Sequence, residues 1–383
     1  MHSTITSVNG ITALGKNIGI KKEKLDFAVI YSDTPCEAAA VYTKNHVKGA
    51  PLIVTKEHLK DGKAQAIVIN SGVANVCTGE RGLEDARAMA RLAAAELGLK
   101  EQDVLVASTG IIGHYLPMER IKEGMQGIKQ ELSKDSKVAS AILTTDTIEK
   151  EVCIKRGNFT IGAIAKGAGM VHPNMATMLA FIATDAKLSS KALQRMLMHS
   201  TNLSFNMLTV DMDTSTSDMC ILLANGKAGE VDETQFQGAL DDLCKELAKK
   251  IVIDGEGATK LIQVEVKNAK NNESARTLAK AVVSSNLVKC AAYGNDPNWG
   301  RILCAMGNSS SDFDELKVQV LIGGIQIVDK GVTIGFDYDA VKSAMDVKEL
   351  IITINMNAGD SSATAYGCDM TEEYIKINAH YHT

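Results

Sequence analysis

The segment Ala165-Lys-Gly-Ala-Gly-Met-Val-His-Pro-Asn-Met-Ala-Thr-Met-Leu-Ala-Phe-Ile-Ala-Thr184 carries the most chemistry per residue in this chain. Its two glycines and one proline demand a turn after the strand-like run Phe159 to Ala165, and Met178 to Ala183 then reads as a buried strand. A threonine entering such a strand behind a small residue suits an N-terminal nucleophile. The Thr177 hydroxyl can attack the Ala176 carbonyl, shift the acyl group from nitrogen to oxygen, and hydrolyse to free a Thr177 α-amine. That amine, with an ordinary pKa of about 8, can take the proton of its own hydroxyl near neutral pH. By pattern alone, Thr177 also reads as an ordinary edge residue of a strand, since threonine favours strands. Lys166-Gly-Ala-Gly lacks the Walker spacing and the full G-x-G-x-x-G expected of a phosphate cradle.

Three other loops could serve such a nucleophile. Ser108-Thr-Gly-Ile-Ile-Gly113, placed after the strand Val104 to Ala107, offers the Thr109 hydroxyl and the Gly110 amide as donors to an oxyanion, and otherwise reads as a plain strand-to-loop turn. Ile69 to Gly79 is a second polar, glycine-containing loop leading to a helix at Leu83, with a structural connection as its default role. Asp254-Gly-Glu-Gly-Ala-Thr-Lys260 puts Glu256 between glycines, where a carboxylate can face an ammonium or sit in a solvated turn. The eight histidines show no metal-ligand spacing, so no metal is expected. His172 lies near Thr177 in sequence and could tune proton transfer, or simply be hydrogen-bonded.

The elements that must hold these loops alternate. Ala66–Ile69, Val104–Ala107, Met219–Leu223, Val318–Ile322, Ile351–Ile354 and Leu261–Val266 read as strands. Leu83, Ala86, Ala90, Ala93 and Leu97 share one helical face; Met118, Ile121, Met125, Ile128 and Leu132 share another, opened by Pro117; Phe236, Leu240, Leu243 and Leu247 mark a third. The pattern predicts a mixed α/β (α+β) fold of sheets layered with helices. With five prolines, no internal repeat and no low-complexity tract, it predicts one unit or two intimate lobes with no linker between them.

Composition removes several functional classes. The 383 residues are 45% hydrophobic, 23% charged and only 4% aromatic, with 41 basic and 46 acidic side chains for a net charge of -5. No global positive field or base-stacking surface is available, so nucleic acid is not an expected partner. No apolar run of about 18 residues predicts a membrane span. The N-terminus lacks the layout of a secretory signal, which makes the cytoplasm the default expectation. Eight cysteines without C-x-x-C pairs read as scattered, mostly buried thiols, and the sixteen methionines as core filler.

Taken together, the segment Lys166 to Phe181, Ser108-Thr-Gly110, Thr144-Thr-Asp-Thr147, Asp254-Gly-Glu-Gly257, Asn295-Asp-Pro-Asn-Trp-Gly-Arg301 and Tyr374-Ile-Lys-Ile-Asn-Ala379 resemble the ornithine acetyltransferase (glutamate N-acetyltransferase) family of arginine biosynthesis, in the same order and nearly end to end. The resemblance implies a self-cleaving N-terminal-nucleophile enzyme of the DmpA and ornithine acetyltransferase type of fold. Cleavage between Ala176 and Thr177 would give an α chain of residues 1–176, with the oxyanion-hole loops, and a β chain of residues 177–383 that begins with the nucleophile Thr177. It implies transfer of acetyl from N-acetylornithine to Thr177 and then to glutamate, releasing ornithine, with no cofactor. Use of acetyl-coenzyme A as a further donor stays open, and an α2β2 assembly is implied. Thr109 and Gly110 would stabilise the oxyanion, and Thr144, Lys166, Thr177, Glu256, Asn378 and Thr383 match the substrate-binding positions. Lys166 suits an α-carboxylate and Glu256 an ornithine ammonium. One departure is Val73, where the family often has asparagine. Two other readings remain at this level: an amidase of the same kind that passes the acyl group to water, and a non-catalytic amino-acid-binding regulator.

Overall fold

The computed structural model describes residues 4–134, 136–172 and 178–380. Ala176, Thr177 and Thr383 therefore lie outside the described residues.

Runs of β-branched and small residues build two sheets. In the first, the strands Val104–Ile111, Lys63–Val73, Phe27–Tyr42, Met219–Glu230, Leu179–Lys187, Phe159–Lys166 and Lys150–Arg156 lie side by side in that order, with Ile11–Lys16 added beside Phe27–Tyr42. Two neighbouring pairs are parallel, Lys63–Val73 with Val104–Ile111 and Leu179–Lys187 with Met219–Glu230. Parallel strands need a crossover, and the helices Gly79–Leu97 and Ser190–Leu203 lie within these two connections. Two strands from after residues 173–177 thus lie side by side between strands from before them. The second sheet runs Val332–Thr333, Ile325–Asp329, Gln319–Ile322, Glu349–Asn355, Leu261–Ala269, Ser361–Cys368 and Leu208–Thr209.

Between the sheets lies the helix Glu233–Ile253. Its N-terminus is capped by Asp232, whose side chain accepts from the Gln235 amide, satisfying one orphan donor. Phe236, Leu240, Leu243 and Leu247 are all fully buried, in one cluster with Ala180, Ile182 and Leu222 of the first sheet and Leu261, Tyr366 and Cys368 of the second. Each such side chain contributes about 1.5–3 kcal/mol on burial, so this helix ties the two sheets together. The helix Gly79–Leu97 covers the other end of the first sheet through Ala86, Ala90, Ala93 and Leu97, against Val68, Val104 and Val106. The expected mixed α/β fold of sheets layered with helices is what the chain adopts.

Several local expectations need correction. The strand of Ala66 does not stop at Ile69 but runs through Val73, with Asn70 and Ser71 fully buried inside it. Likewise Ser108 to Ile111 continue the strand of Val104 and do not form a turn. Buried polar side chains make this possible: Ser108 Oγ donates to Asn70 Oδ1 at 2.5 Å, and Ser71 Oγ donates to the Ala141 carbonyl at 2.6 Å. Hydrophobic pattern alone hides strands whose polar groups are satisfied internally. Val73 joins the apolar cluster under the helix Gly79–Leu97. The face expected from Met118 to Leu132 is broken into helices Met118–Met125 and Ile128–Glu131, because Gly127 takes a left-handed conformation (φ 72°) between them. Of the cysteines, Cys36, Cys220, Cys244 and Cys368 are buried, but Cys77, Cys290 and Cys304 are exposed, so the thiols are not mostly buried. Met170, Met198 and Met212 are also exposed and are not core filler.

Candidate active site

A cleft of about 220 Å³ opens at one end of the first sheet. It lies where the strands Phe159–Lys166 and Val104–Ile111 end and where Leu179–Lys187 and Met219–Glu230 begin. Thr109, Gly110, Thr144, Lys166, Glu256 and Asn378 all line it, together with Met178, the residue that follows Thr177 in the sequence. Positions more than 250 residues apart in the chain, Thr109 and Asn378, thus face one space.

Each wall has its own support. Gly110 (φ 128°) pairs across the ladder with Gly72 (φ 111°). A Cβ on Gly110 would sit 2.3 Å from the Gly72 carbonyl carbon, so only glycine fits this crossing. That close approach turns the end of the strand toward the cleft and leaves Thr109, 6% exposed, at its edge.

Lys166 Nζ donates to Thr144 Oγ1 at 3.1 Å. Burial lowers the Lys166 ammonium, while Asp146, Asp218 and Glu256 act in the opposite direction. Beneath it lies a buried network. Lys150 is fully buried and contacts Asp146 Oδ1 at 2.6 Å and Asp254 Oδ2 at 2.5 Å. Asp146 also accepts from the Gly167 amide at 2.7 Å, and Asp254 accepts from the Thr147 amide at 3.0 Å. Burial by itself would raise the Asp146 carboxyl, but Lys166, Lys150 and the Gly167 amide together hold it down at about 2. The network fastens the Thr144–Thr147 loop to the Asp254–Gly257 loop, and so holds Thr144 and Glu256 at one cleft.

Glu256 is 9% exposed and is not in a solvated turn. Its backbone amide donates to the Ala168 carbonyl at 2.9 Å, and Asn378 Nδ2 donates to its Oε2 at 2.9 Å. A Cβ on Gly169 would fall 2.4 Å from the Glu256 carboxyl carbon, so this glycine leaves room for the carboxylate. Asn378 sits on the helix Glu372–His380 and also donates to the Tyr374 carbonyl at 3.0 Å.

Two sequence candidates are not at the cleft. His172 packs away from it: its Nδ1 lies 2.9 Å from Thr209 Oγ1, and burial, with Lys280 and Lys289, pushes the ring down to about 4. It is neutral at physiological pH. The Asn295–Arg301 motif caps a helix, Asn298 accepting from the Arg301 amide, and does not line the cleft. Sequence reasoning missed Ser215, Thr216, Ser217 and Asp218, which form a wall, and the anchoring lysine Lys150. Three hydroxyls and a carboxylate immediately before the strand Met219–Glu230 were the available signal.

A polar, partly enclosed cleft of this size, with a lysine, two carboxylates and a hydroxyl beside a glycine amide, is the kind of site that handles a small charged molecule. Residues 12–383 match the model of the ArgJ family. The arginine biosynthesis bifunctional protein ArgJ of Oceanobacillus iheyensis is 46% identical, covering 99% of this chain and 96% of that protein. Its counterpart from Caldanaerobacter subterraneus subsp. tengcongensis is also 46% identical, over 98% and 97%. The crystal structure of the Bacillus halodurans arginine biosynthesis bifunctional protein superposes with a TM-score of 0.50 at 40% identity, covering 51% of this chain and 96% of that one. The chain belongs to the ArgJ family, and with it to the enzymes of arginine biosynthesis.

Proposed function

We propose that the cleft moves an acetyl group from N-acetylornithine to glutamate through an acetyl ester on Thr177, after the chain cuts itself between Ala176 and Thr177. The observation that carries this reading is the convergence of Thr109, Gly110, Thr144, Lys166, Glu256 and Asn378 on one cleft that Met178 also lines. In the first half-reaction the Thr177 hydroxyl gives its proton to the Thr177 α-amine and attacks the acetyl carbonyl. The Thr109 hydroxyl and the Gly110 amide receive the negative charge that develops on the carbonyl oxygen. Collapse of that intermediate breaks the C–N bond, and the proton passes from the α-amine to the departing nitrogen of ornithine. In the second half the glutamate amine attacks the ester by the same path reversed, and Thr177 recovers its hydroxyl proton.

Lys166 takes the α-carboxylate common to both substrates, and Glu256, held by Asn378, takes the ornithine ammonium. Thr144 keeps the lysine in place. Thr383 is proposed as a further substrate contact on the strength of the sequence resemblance alone. The relatives are named bifunctional, which supports acetyl-coenzyme A as a second donor to glutamate. The half-length match to the solved relative is the proportion expected if mature chains are products of a cut near the middle. We place the assembled protein in the cytoplasm as an α2β2 complex.

Intact mass spectrometry tests the core of the proposal. Two fragments that meet at Ala176/Thr177, and one added acetyl on the second fragment after exposure to N-acetylornithine, are expected. A single uncut chain that turns over N-acetylornithine would refute it.

A further inference from the structure

Among the described residues, the charged side chains that line the cleft are Lys166, Glu256 and Asp218. Lys166 has Thr144, and Glu256 has Asn378. Asp218 is in a different position. It is 4% exposed, stands just before the strand Met219–Glu230, and its buried Oδ2 has no hydrogen-bond partner among the described residues. The Met219 amide donates to the Met178 carbonyl at 3.1 Å, which sets Asp218 level with Met178 at the mouth of the parallel ladder. A buried carboxyl oxygen with nothing to bond is costly, and such groups in folded proteins are commonly met by a ligand or by a catalytic role.

The transfer reaction, on whose reading this argument rests, sets the cleft an unusual task. One space must receive ornithine, whose side chain ends in an ammonium, and glutamate, whose side chain ends in a carboxylate. Their α-carboxylates are alike and suit Lys166. Walls of fixed charge that favour one side-chain end repel the other.

We infer that Asp218 is a specificity-determining residue of this cleft, its free carboxyl oxygen meeting the side-chain end of both substrates, as a carboxylate against the ammonium of ornithine and as a carboxylic acid against the carboxylate of glutamate. Burial pushes the Asp218 carboxyl well above the usual range, and Ser215 and Lys166 offset this only in part, which favours its protonated form. An entering ammonium supplies the missing counter-charge. The carboxyl proton then leaves to solvent and an ion pair remains, beside Glu256. Glutamate finds the acid still protonated, and its side-chain carboxylate accepts the O–H hydrogen bond. The groups that bias this choice are Lys166, from the strand Phe159–Lys166, and Glu256, from the loop after the helix Glu233–Ile253.

The test is calorimetric binding of unacetylated ornithine and of glutamate to the mature enzyme, in buffers of different ionisation enthalpy, for wild type, Asp218→Asn and Asp218→Glu. Wild type is expected to release about one proton more with ornithine than with glutamate. In Asp218→Asn that difference disappears and ornithine binds roughly 10- to 100-fold more weakly, the loss of one charged hydrogen bond, while glutamate affinity stays within about threefold. Asp218→Glu keeps the proton difference. Equal weakening toward both ligands in Asp218→Asn, with its melting curve unchanged, would assign Asp218 to the scaffold and overturn the inference. So would equal proton counts for both ligands in a wild-type enzyme that transfers acetyl normally. Failure of the wild type to exchange acetyl between ornithine and glutamate is a separate result, and counts against the transfer reading itself.

Discussion

Replacing Lys150 with methionine keeps the length and the apolar stem of the side chain and removes only the charge. In the wild type this ammonium lies fully buried between Asp146 and Asp254, at 2.6 and 2.5 Å. Lys150→Met leaves two carboxylates facing each other with Lys166 and backbone amides as their remaining support. Breaking a buried pair in this way costs about 3–5 kcal/mol, mostly as the penalty of uncompensated buried charge. The Asp146 carboxyl gives an independent scale. Its displacement from 3.8 to about 2 corresponds to about 2 kcal/mol of preference for the charged form, of which Lys150 supplies a part. At about 2.1 cal/mol/K of unfolding entropy per residue, a chain of 383 residues turns the larger figure into a fall in melting temperature of roughly 4–6 °C. Differential scanning calorimetry at pH 7 measures it. Because the Asp146 pKa is depressed, its stabilisation is complete above about pH 4 and is lost as the pH falls through about 2. The gap between variant and wild type therefore narrows on acidification from pH 5 downward. Lys150→Met/Asp254→Asn removes one of the stranded charges and is expected to recover at least about 1 kcal/mol relative to the sum of the single changes. A Lys150→Met protein that melts within 1 °C of wild type, or strict additivity in the double variant, would show that the network does not hold the two loops together.

Thr109→Val removes a hydroxyl at the cleft while keeping its shape; kcat for acetyl transfer should fall about 10²–10³-fold with KM little changed, and a drop under threefold would remove Thr109 from the oxyanion site. Glu256→Gln should raise KM for N-acetylornithine about tenfold or more, and an unchanged KM would detach Glu256 from the ornithine ammonium. Burial holds the His172 ring at about 4, below its unfolded value of about 6.5, so its contribution to stability is complete above pH 6.5 and lost as the pH falls toward 4. His172→Gln should flatten the dependence of melting temperature on pH in that window and leave the pH profile of kcat between 6 and 8 unchanged; a profile that shifts with the substitution would give His172 a part in proton transfer.

The sequence was most informative where physics and spacing agreed. The helices around Leu83–Leu97 and Phe236–Leu247 follow from a single apolar stripe each, and burial in the structure uses those same residues. The cleft wall of Thr109 and Gly110 was visible as a hydroxyl next to a glycine, although the glycine's reason, its crossing with Gly72, exists only once two strands pair. Asn70 and Ser71 look like loop residues because their partners, Ser108 and Ala141, are remote in sequence. The Lys150 network was illegible for the same reason: a lone lysine in the strand Lys150–Arg156 gives no sign that carboxylates four and 104 residues away will enclose it. Asp218 is illegible in the sequence because a carboxylate just before an apolar strand normally marks a solvated end, and only its burial distinguishes it.

The interleaving of strands in the first sheet, with two later strands flanked by earlier ones, bears on what a backbone cut can do. Met219–Glu230 pairs with Phe27–Tyr42 on one side and Leu179–Lys187 on the other, while Leu179–Lys187 also pairs with Phe159–Lys166. A chain opened between residues 172 and 178 would stay laced together, since neither piece can leave without stripping both flanks of a central ladder. The first piece alone would hold Phe27–Tyr42 and Phe159–Lys166 with a gap two strands wide between them, its exposed edges open to any other strand. The two pieces of such a chain, made separately, should aggregate unless produced together.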